Sequence, residues 1–183
     1  MTCSTSYKNL NTGQPANSDT VYIASTEDFK SNLIPDSVFK MTQLKTLMIF
    51  GRDCDVRYYD KDGKDTTQCW MIKEIPSSIG NLTNLDTLRL TLGVFGKFPE
   101  EISKLQKLRY IDLTDTYLSS IDNLTSLKHL NQLLLYGCGL SKLPNDIGKL
   151  SNLKFIGLVG NNLDTAEIDR IKKALPNCEV YFY

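Results

Sequence analysis

The chain has 183 residues, and its 21 Lys and Arg residues balance its 21 Asp and Glu residues, so the formal net charge at pH 7 is zero. A neutral chain with no dense basic run lacks the electrostatic surface that nucleic-acid binding requires, and we expect no nucleic-acid partner. No stretch is long and apolar enough to predict a transmembrane segment. The length fits one domain with a continuous core.

Residues 1–20 are predicted to form an N-terminal tail or tether, because they are polar and contain no apolar core of a signal peptide. Cys3 is followed by a tether rich in Ser, Thr, Asn and Gly. This start resembles that of a mature bacterial lipoprotein, which implies a lipid anchor at Cys3 and an extracytoplasmic or cell-surface location. The alternative is a disordered tail on a cytoplasmic protein, in which Cys3 has no role.

Strands are predicted at a nearly constant spacing along the rest of the chain. A weak first strand lies near Val21 to Ser25, leucine-centred segments begin at Leu44, Leu85, Leu108, Leu130 and Leu153, and a last strand lies in LPNCEVYFY from Leu175. The four segments from Leu85 to Leu153 are spaced by 23, 22 and 23 residues. A fixed period of this size predicts a stacked solenoid with about seven parallel strands.

The leucine-centred segments share the pattern L-x-x-L-x-L-x-x-(N/C)-x-L, of which LNQLLLYGCGL and LKFIGLVGNNL are the fullest examples. The L-x-L core has the period of two that a half-buried strand shows. At the ninth position, Cys138 and Asn161 can satisfy backbone groups where the chain leaves the sheet.

This pattern resembles the leucine-rich repeat family, with a repeat phrase similar to versions found in bacterial surface proteins and plant receptors. The resemblance implies an α/β fold, namely a leucine-rich repeat solenoid whose curved parallel sheet has short helical or 3-10 returns and a C-terminal capping helix and strand. It also implies a protein-interaction scaffold.

Return segments such as EIPSSIGNLTNL recur between the strands. Ile79 and Leu82 are three residues apart, which indicates a short helical or 3-10 turn that points both side chains inward. The same spacing recurs at Ile102 and Leu105 and at Ile147 and Leu150, and prolines precede these turns at Pro76, Pro99 and Pro144.

An insertion follows the second strand, because Leu44 to Leu85 spans 41 residues, 18 more than a 23-residue repeat needs. The segment CDVRYYDKDGKDTTQCWMI predicts a β-hairpin at about 54–72 with its turn at residues 60–63. That register places Cys54 opposite Cys69, where either a disulfide or two reduced cysteines fit. The acidic turn does not predict a calcium site, because the twelfth position counted from its first aspartate is Met71 and not Glu.

The segment DTAEIDRIKKAL predicts a helix from Thr165 to Ala174, with Asp164 or Thr165 as the N-cap. Its apolar face carries Ile168, Ile171 and Leu175. With the last strand, this helix is the predicted C-terminal cap at about 164–183. Residues 21–183 are then expected to form a single leucine-rich repeat domain.

The cysteines and the single histidine do not form a metal-ligand pattern. The chain has no C-x-x-C pair, Cys138 and Cys178 occupy keyed repeat positions, and His129 lies in a return segment, where a structural or exposed role is expected. The sequence also contains no Gly-rich phosphate loop and no H-E-x-x-H motif. We therefore expect no metal, no cofactor and no enzyme activity.

Side chains between the inward leucines are expected to face outward on the concave sheet, in columns that run across the strands. The third column is Thr46, Thr87, Tyr110, Gln132 and Phe155; the fifth is Met48, Arg89, Asp112, Leu134 and Gly157; and the seventh is Phe50, Thr91, Thr114, Tyr136 and Val159, with Tyr181 of the last strand.

These columns predict an apolar and aromatic patch on the concave face, formed by Tyr110, Leu134, Tyr136, Phe155, Val159 and Tyr181, with charges at Arg89, Arg109, Asp112 and Asp115. An apolar centre with a charged rim is typical of protein interfaces. We predict a module that binds a protein partner there. The alternatives are a cell-surface recognition or adhesion module for host, matrix or glycan ligands, and an inert spacer whose aromatic residues only cover the sheet.

Overall fold

The computed structural model describes residues 19–24, 34, 36–51, 61–63 and 72–182. Within this part, seven strands form one parallel sheet whose spatial order is the chain order. The strands are β1 Thr20–Ala24, β2 Thr46–Phe50, β3 Thr87–Thr91, β4 Tyr110–Asp112, β5 Gln132–Leu134, β6 Phe155–Gly157 and β7 Glu179–Tyr181. The predicted solenoid is confirmed.

The strands stack their inward side chains in register. Leu88 of β3 pairs with Ile111 of β4, which pairs with Leu133 of β5, which pairs with Ile156 of β6. All four side chains are fully buried. Because each repeat buries its apolar face only against its neighbours, the core is a continuous column along the solenoid.

The returns are short 3-10 helices, as the three-residue spacing predicts. They span Val38–Lys40, Ser77–Asn81, Glu100–Lys104, Asp122–Ser126 and Ile147–Lys149. Pro76 and Pro99 precede two of them with φ of −73° and −65°, values that the proline ring favours. The paired apolar side chains are at most 1% exposed, among them Ile79 and Leu82.

The ninth repeat position satisfies backbone carbonyls where the chain leaves the sheet. The Asn161 Nδ2 group donates to the carbonyl oxygens of Leu135, at 2.6 Å, and Leu158, at 2.9 Å, and its Oδ1 atom accepts from the Leu140 N–H at 2.9 Å. The Cys138 thiol donates to the Leu113 carbonyl at 3.1 Å. Both predicted roles are confirmed.

The helix α1, Thr165–Ala174, lies between β6 and β7 at the residues that the sequence predicts. The Asp164 carboxylate caps it by accepting from the Glu167 N–H at 2.7 Å. Glu167 is 8% exposed, and its Oε1 atom accepts from the Leu143 N–H at 2.8 Å and from Arg170 Nη2 at 2.7 Å. Arg170 also donates to the Leu143 carbonyl at 2.9 Å, so the two side chains join the helix to the preceding repeat.

The inserted segment falls almost entirely outside the described residues. Cys54 and Cys69, the candidate disulfide, lie outside them, as does Cys3. Gly63, at the end of the predicted turn, has φ of +76°, a left-handed conformation that glycine adopts without strain. Ile72, at the end of the insertion, is fully buried and forms a parallel bridge with Gly93. No helix in the described part of the chain is long and apolar enough to cross a membrane.

Candidate functional site

The register of the sheet confirms the third and fifth predicted columns across β2 to β6. Tyr110 pairs with Gln132, which pairs with Phe155, in the third column. Asp112 and Leu134 pair in the same way in the fifth column. These side chains therefore lie beside one another on the concave face, about 4.8 Å apart from strand to strand.

The last strand has a different register from the predicted one. The repeat alignment predicts Tyr181 beside Val159 in the seventh column, but Tyr181 pairs with Gly157 in the fifth. The reason is that the segment between β6 and β7 contains the capping helix. This longer segment places Val180 opposite Ile156, at a separation of 24 residues. A shift of two residues keeps a side chain on the same face of a sheet, so Tyr181 still faces outward and is 46% exposed.

Arg89 and Asp112 form an ion pair at the centre of the concave face, in which Asp112 is buried and Arg89 is partly exposed. The Asp112 Oδ2 atom lies 3.0 Å from Arg89 Nε and 2.9 Å from Nη2, and its Oδ1 atom accepts from the Thr114 hydroxyl at 2.6 Å and the Thr114 N–H at 3.0 Å. Asp112 is 3% exposed, and the Arg89 guanidinium lies 5.7 Å from the centroid of the Phe50 ring. The two charges thus compensate each other and are held in place, instead of lining an open rim.

Two tyrosines of the predicted patch are partly buried beside this ion pair. Burial raises the pKa of Tyr110, and the nearby Asp112 carboxylate raises it further. Burial also raises the pKa of Tyr136, followed by the effects of Tyr181, Asp112 and Glu179. Both phenols stay protonated at neutral pH, and the single O–H group of Tyr110 is already hydrogen-bonded to the Asp112 carboxylate.

The Tyr136 ring lies over the backbone of Gly157. A Cβ atom at Gly157 would overlap the ring and lie 2.6 Å from the phenolic oxygen, so only glycine leaves room for the ring in this place. On the next two strands, β6 and β7, the rings of Phe155 and Tyr181 are stacked, with centroids 6.5 Å apart and planes at 28°. We call Tyr136, Phe155 and Tyr181 the aromatic cluster.

Leu134 and Val159 are half-buried beside the aromatic cluster. Glu179 is a charged neighbour that the repeat pattern did not predict. It pairs with Phe155 in register and is exposed on the same side of β7 as Tyr181, because the two residues are two apart. The alternation of the last strand could have identified it, but only with the correct register.

A second, polar groove of about 950 Å³ lies where the chain enters the strands. Its charges are largely compensated by internal ion pairs, between Lys45 and Asp19 at 3.1 Å and between Arg109 and Asp86 at 3.6 Å. His129 lines the groove and is exposed, in agreement with the expectation for it. Among the residues described by the structure, no group of three or more His, Cys, Asp and Glu side chains could hold a metal ion.

No family model matches the sequence, and no curated protein matches it. Solved structures share its fold. One is an LRR protein of Leptospira interrogans, with 21% identity, a TM-score of 0.52 and coverage of 82% of this chain and 46% of that one. A second is the plant peptide hormone receptor RGFR1 in complex with RGF2, with 25% identity, a TM-score of 0.58 and coverage of 81% and 22%.

A third similar structure is that of TLR13 in complex with ssRNA13, with 22% identity, a TM-score of 0.60 and coverage of 77% of this chain and 18% of that one. The chain thus spans less than half of the length of each of these three proteins. Together with the repeat register and the ninth-position hydrogen bonds, these similarities show that the chain has the leucine-rich repeat fold.

Proposed function

We propose that this protein is a non-catalytic interaction module that binds a protein partner on the concave face of its sheet. The observation that carries the proposal is the aromatic cluster, whose rings are partly exposed on the sheet face beside the half-buried Leu134 and Val159. The proposed contact residues are Tyr110, Leu134, Tyr136, Phe155, Val159 and Tyr181, with the ion pair of Arg89 and Asp112.

The geometry of these rings favours binding because little side-chain freedom remains to be lost. Tyr136 rests on Gly157, and Phe155 stacks with Tyr181, so the rings are positioned before a partner arrives. Preorganised aromatic side chains are frequent energetic centres of protein interfaces. The Arg89 guanidinium, held by the Asp112 carboxylate, is the partly exposed member of the ion pair on the same face.

The chemistry of the described cysteines also favours a non-catalytic role. Burial raises the pKa of the Cys138 thiol to about 12 and that of the Cys178 thiol to about 11. Both stay protonated at neutral pH, whereas a catalytic cysteine needs a lowered pKa to supply a thiolate. Cys138 occupies its keyed repeat position, whereas the observed register of β7 places Cys178 outside the keyed position predicted for it, partly buried against the core.

The structural neighbours supply a further argument. RGFR1 is a plant peptide hormone receptor whose structure is in complex with RGF2, and this chain covers 22% of it. The neighbour in complex with RNA is 22% identical and shares the fold alone. With a formal net charge of zero, a protein ligand suits this chain better than a nucleic acid.

The test is capture from native extracts by the purified wild-type protein and by the double variant Tyr136→Ala, Phe155→Ala, with quantitative mass spectrometry. The matched control is Tyr117→Ala, which removes an equally large ring that is 63% exposed where the chain has left the sheet. We expect one protein to be lost from the double variant and kept by the control, with all three proteins folded. Equal capture by the double variant would refute the proposed site.

Two alternatives to a protein partner are glycan recognition and an inert spacer. If no protein is captured, the same variants are applied to a glycan array, and a signal that depends on the aromatic cluster would favour a glycan-recognition module. The absence of binding in both assays would favour a spacer.

The hypothesis of attachment to a bacterial cell surface through Cys3 depends on the N-terminal sequence alone. Metabolic labelling with a fatty acid should then mark the wild-type chain and not Cys3→Ser, and equal labelling would exclude it.

A further inference from the structure

We propose that the aromatic cluster, with Glu179 beside it, binds a lysine or arginine side chain of the protein partner. This inference rests on the proposed function, because it specifies the chemistry of the group that the same concave surface recognises. The site is then expected to bind a positively charged side chain of the partner. The alternative result of the test is that it binds a neutral apolar side chain equally well.

Four neighbouring positions on β6 and β7 form the site. Phe155 and Glu179 are paired in the third column, and Gly157 and Tyr181 are paired in the fifth. The ring of Tyr136 covers the Gly157 position. Three aromatic rings and one carboxylate thus surround a single small area, and the carboxylate lies at the edge strand of the described sheet.

The spacing of the rings suits a cation. Favourable contacts form when a cation lies within about 6 Å of a ring centroid, over the face of the ring. Because the Phe155 and Tyr181 centroids are 6.5 Å apart, a cation near the middle of the pair lies within this distance of both centroids. The Glu179 carboxylate can then form a charge-assisted hydrogen bond to an ammonium or guanidinium group.

The protein supplies cations to other rings in the described part of the chain but not to these. Arg89 lies over Phe50, and the Lys172 Nζ atom lies 4.3 Å from the centroid of Phe182. No described cation lies over the rings of the aromatic cluster in this way.

The charges around the cluster are predominantly negative. Glu179 and Asp115 are exposed, and Asp112 is paired with Arg89. Lys154 precedes Phe155; burial raises the pKa of the Cys178 thiol, and the charge of Lys154 partly opposes that rise. Burial is the largest cause of the raised pKa of Tyr136. The smaller causes are Tyr181, Asp112 and Glu179, and no cation opposes them. A positive group of a partner complements this environment.

The test uses short defined peptides and nuclear magnetic resonance. Acetylated and amidated Gly-Arg-Gly and Gly-Lys-Gly are titrated into the full chain and compared with the neutral analogues Gly-citrulline-Gly and Gly-norleucine-Gly. We expect the cationic peptides to shift the ring resonances of Phe155 and Tyr181 and the methyl resonances of Leu134 and Val159. The neutral peptides should bind about tenfold more weakly, and added salt should weaken the cationic peptides only.

Two variants separate the cation contact from simple apolar contact. Phe155→Leu keeps an apolar side chain and removes the ring, and Glu179→Gln keeps the shape and removes the charge; each should weaken the cationic peptides by about fivefold. The control Tyr117→Leu should change nothing. Equal binding of charged and neutral peptides, or no shift at the aromatic cluster, would overturn the inference, whereas the proposed function would survive if protein capture still depended on Tyr136 and Phe155.

Discussion

Replacing Asn161 by alanine tests whether the ninth-position hydrogen bonds hold the solenoid together. The Asn161 side chain makes three hydrogen bonds, at 2.6, 2.9 and 2.9 Å, and all three join it to the backbone of its own or the preceding repeat. Alanine leaves these backbone groups without their partner and cannot replace it. Asn162 is the matched control, since its amide is exposed and donates one long bond, of 3.4 Å, to the Gly139 carbonyl.

The expected loss follows from the number of bonds. A hydrogen bond within a protein contributes about 1 kcal/mol to the free energy of unfolding, and an orphaned buried group costs somewhat more, so Asn161→Ala should cost about 3 kcal/mol. An exposed substitution such as Asn162→Ala should cost about 0.5 kcal/mol or less. With a urea dependence of about 2 kcal/mol per molar, the unfolding midpoint of Asn161→Ala should fall by about 1.5 M.

The assay is urea unfolding followed by circular dichroism, with the two variants and the wild-type protein measured side by side. The slope of the free energy against urea should be the same for all three proteins, so that the midpoints compare stability alone. Midpoints that fall equally in the two variants would refute the reasoning. They would mean that water replaces the Asn161 amide at little cost.

Two further predictions concern the cap and the aromatic cluster. Arg170 lowers the pKa of the Glu167 carboxyl, so its stabilisation is complete above the ordinary carboxyl pKa of about 4.3 and is lost as the pH falls through the lower folded-state value. The difference in melting temperature between wild type and Glu167→Gln should therefore shrink between pH 5 and 3, as measured by calorimetry, and a constant difference would contradict this. Gly157→Ala should displace the Tyr136 ring, reducing partner capture severalfold while lowering the free energy of unfolding by about 1 kcal/mol; unchanged capture in a binding titration would count against the docked ring.

Much of the solenoid could be predicted from the sequence because its contacts repeat with the chain. Leu133 and Ile156 lie at the same place in successive repeats and are buried against each other in register. Cys138 and Asn161 could be identified in the same way. Thr116 was missed at the same position because the pattern admits Asn or Cys, although its hydroxyl donates to the Leu90 carbonyl at 2.8 Å and it is fully buried.

The candidate site could be predicted in part. The columns placed Arg89 beside Asp112. The burial of the Asp112 carboxylate, however, depends on how Thr114 and the neighbouring strand pack around it. Alignment of the last strand to the repeat gave Tyr181 the wrong column, since the capping helix changes the length of the return. Neither the burial of Asp112 nor the register of β7 can be predicted from the local sequence.

By itself, the amino-acid sequence determined the period, the inward leucines, the returns, the ninth-position hydrogen-bonding residues and the capping helix, because each depends on residues within one repeat or its neighbour. Only the tertiary structure decided that the Tyr136 ring rests on Gly157 and that Glu179 lies beside Phe155. These contacts arise between strands that are more than 20 residues apart in the chain, and their geometry depends on the register and on the space that a missing side chain leaves.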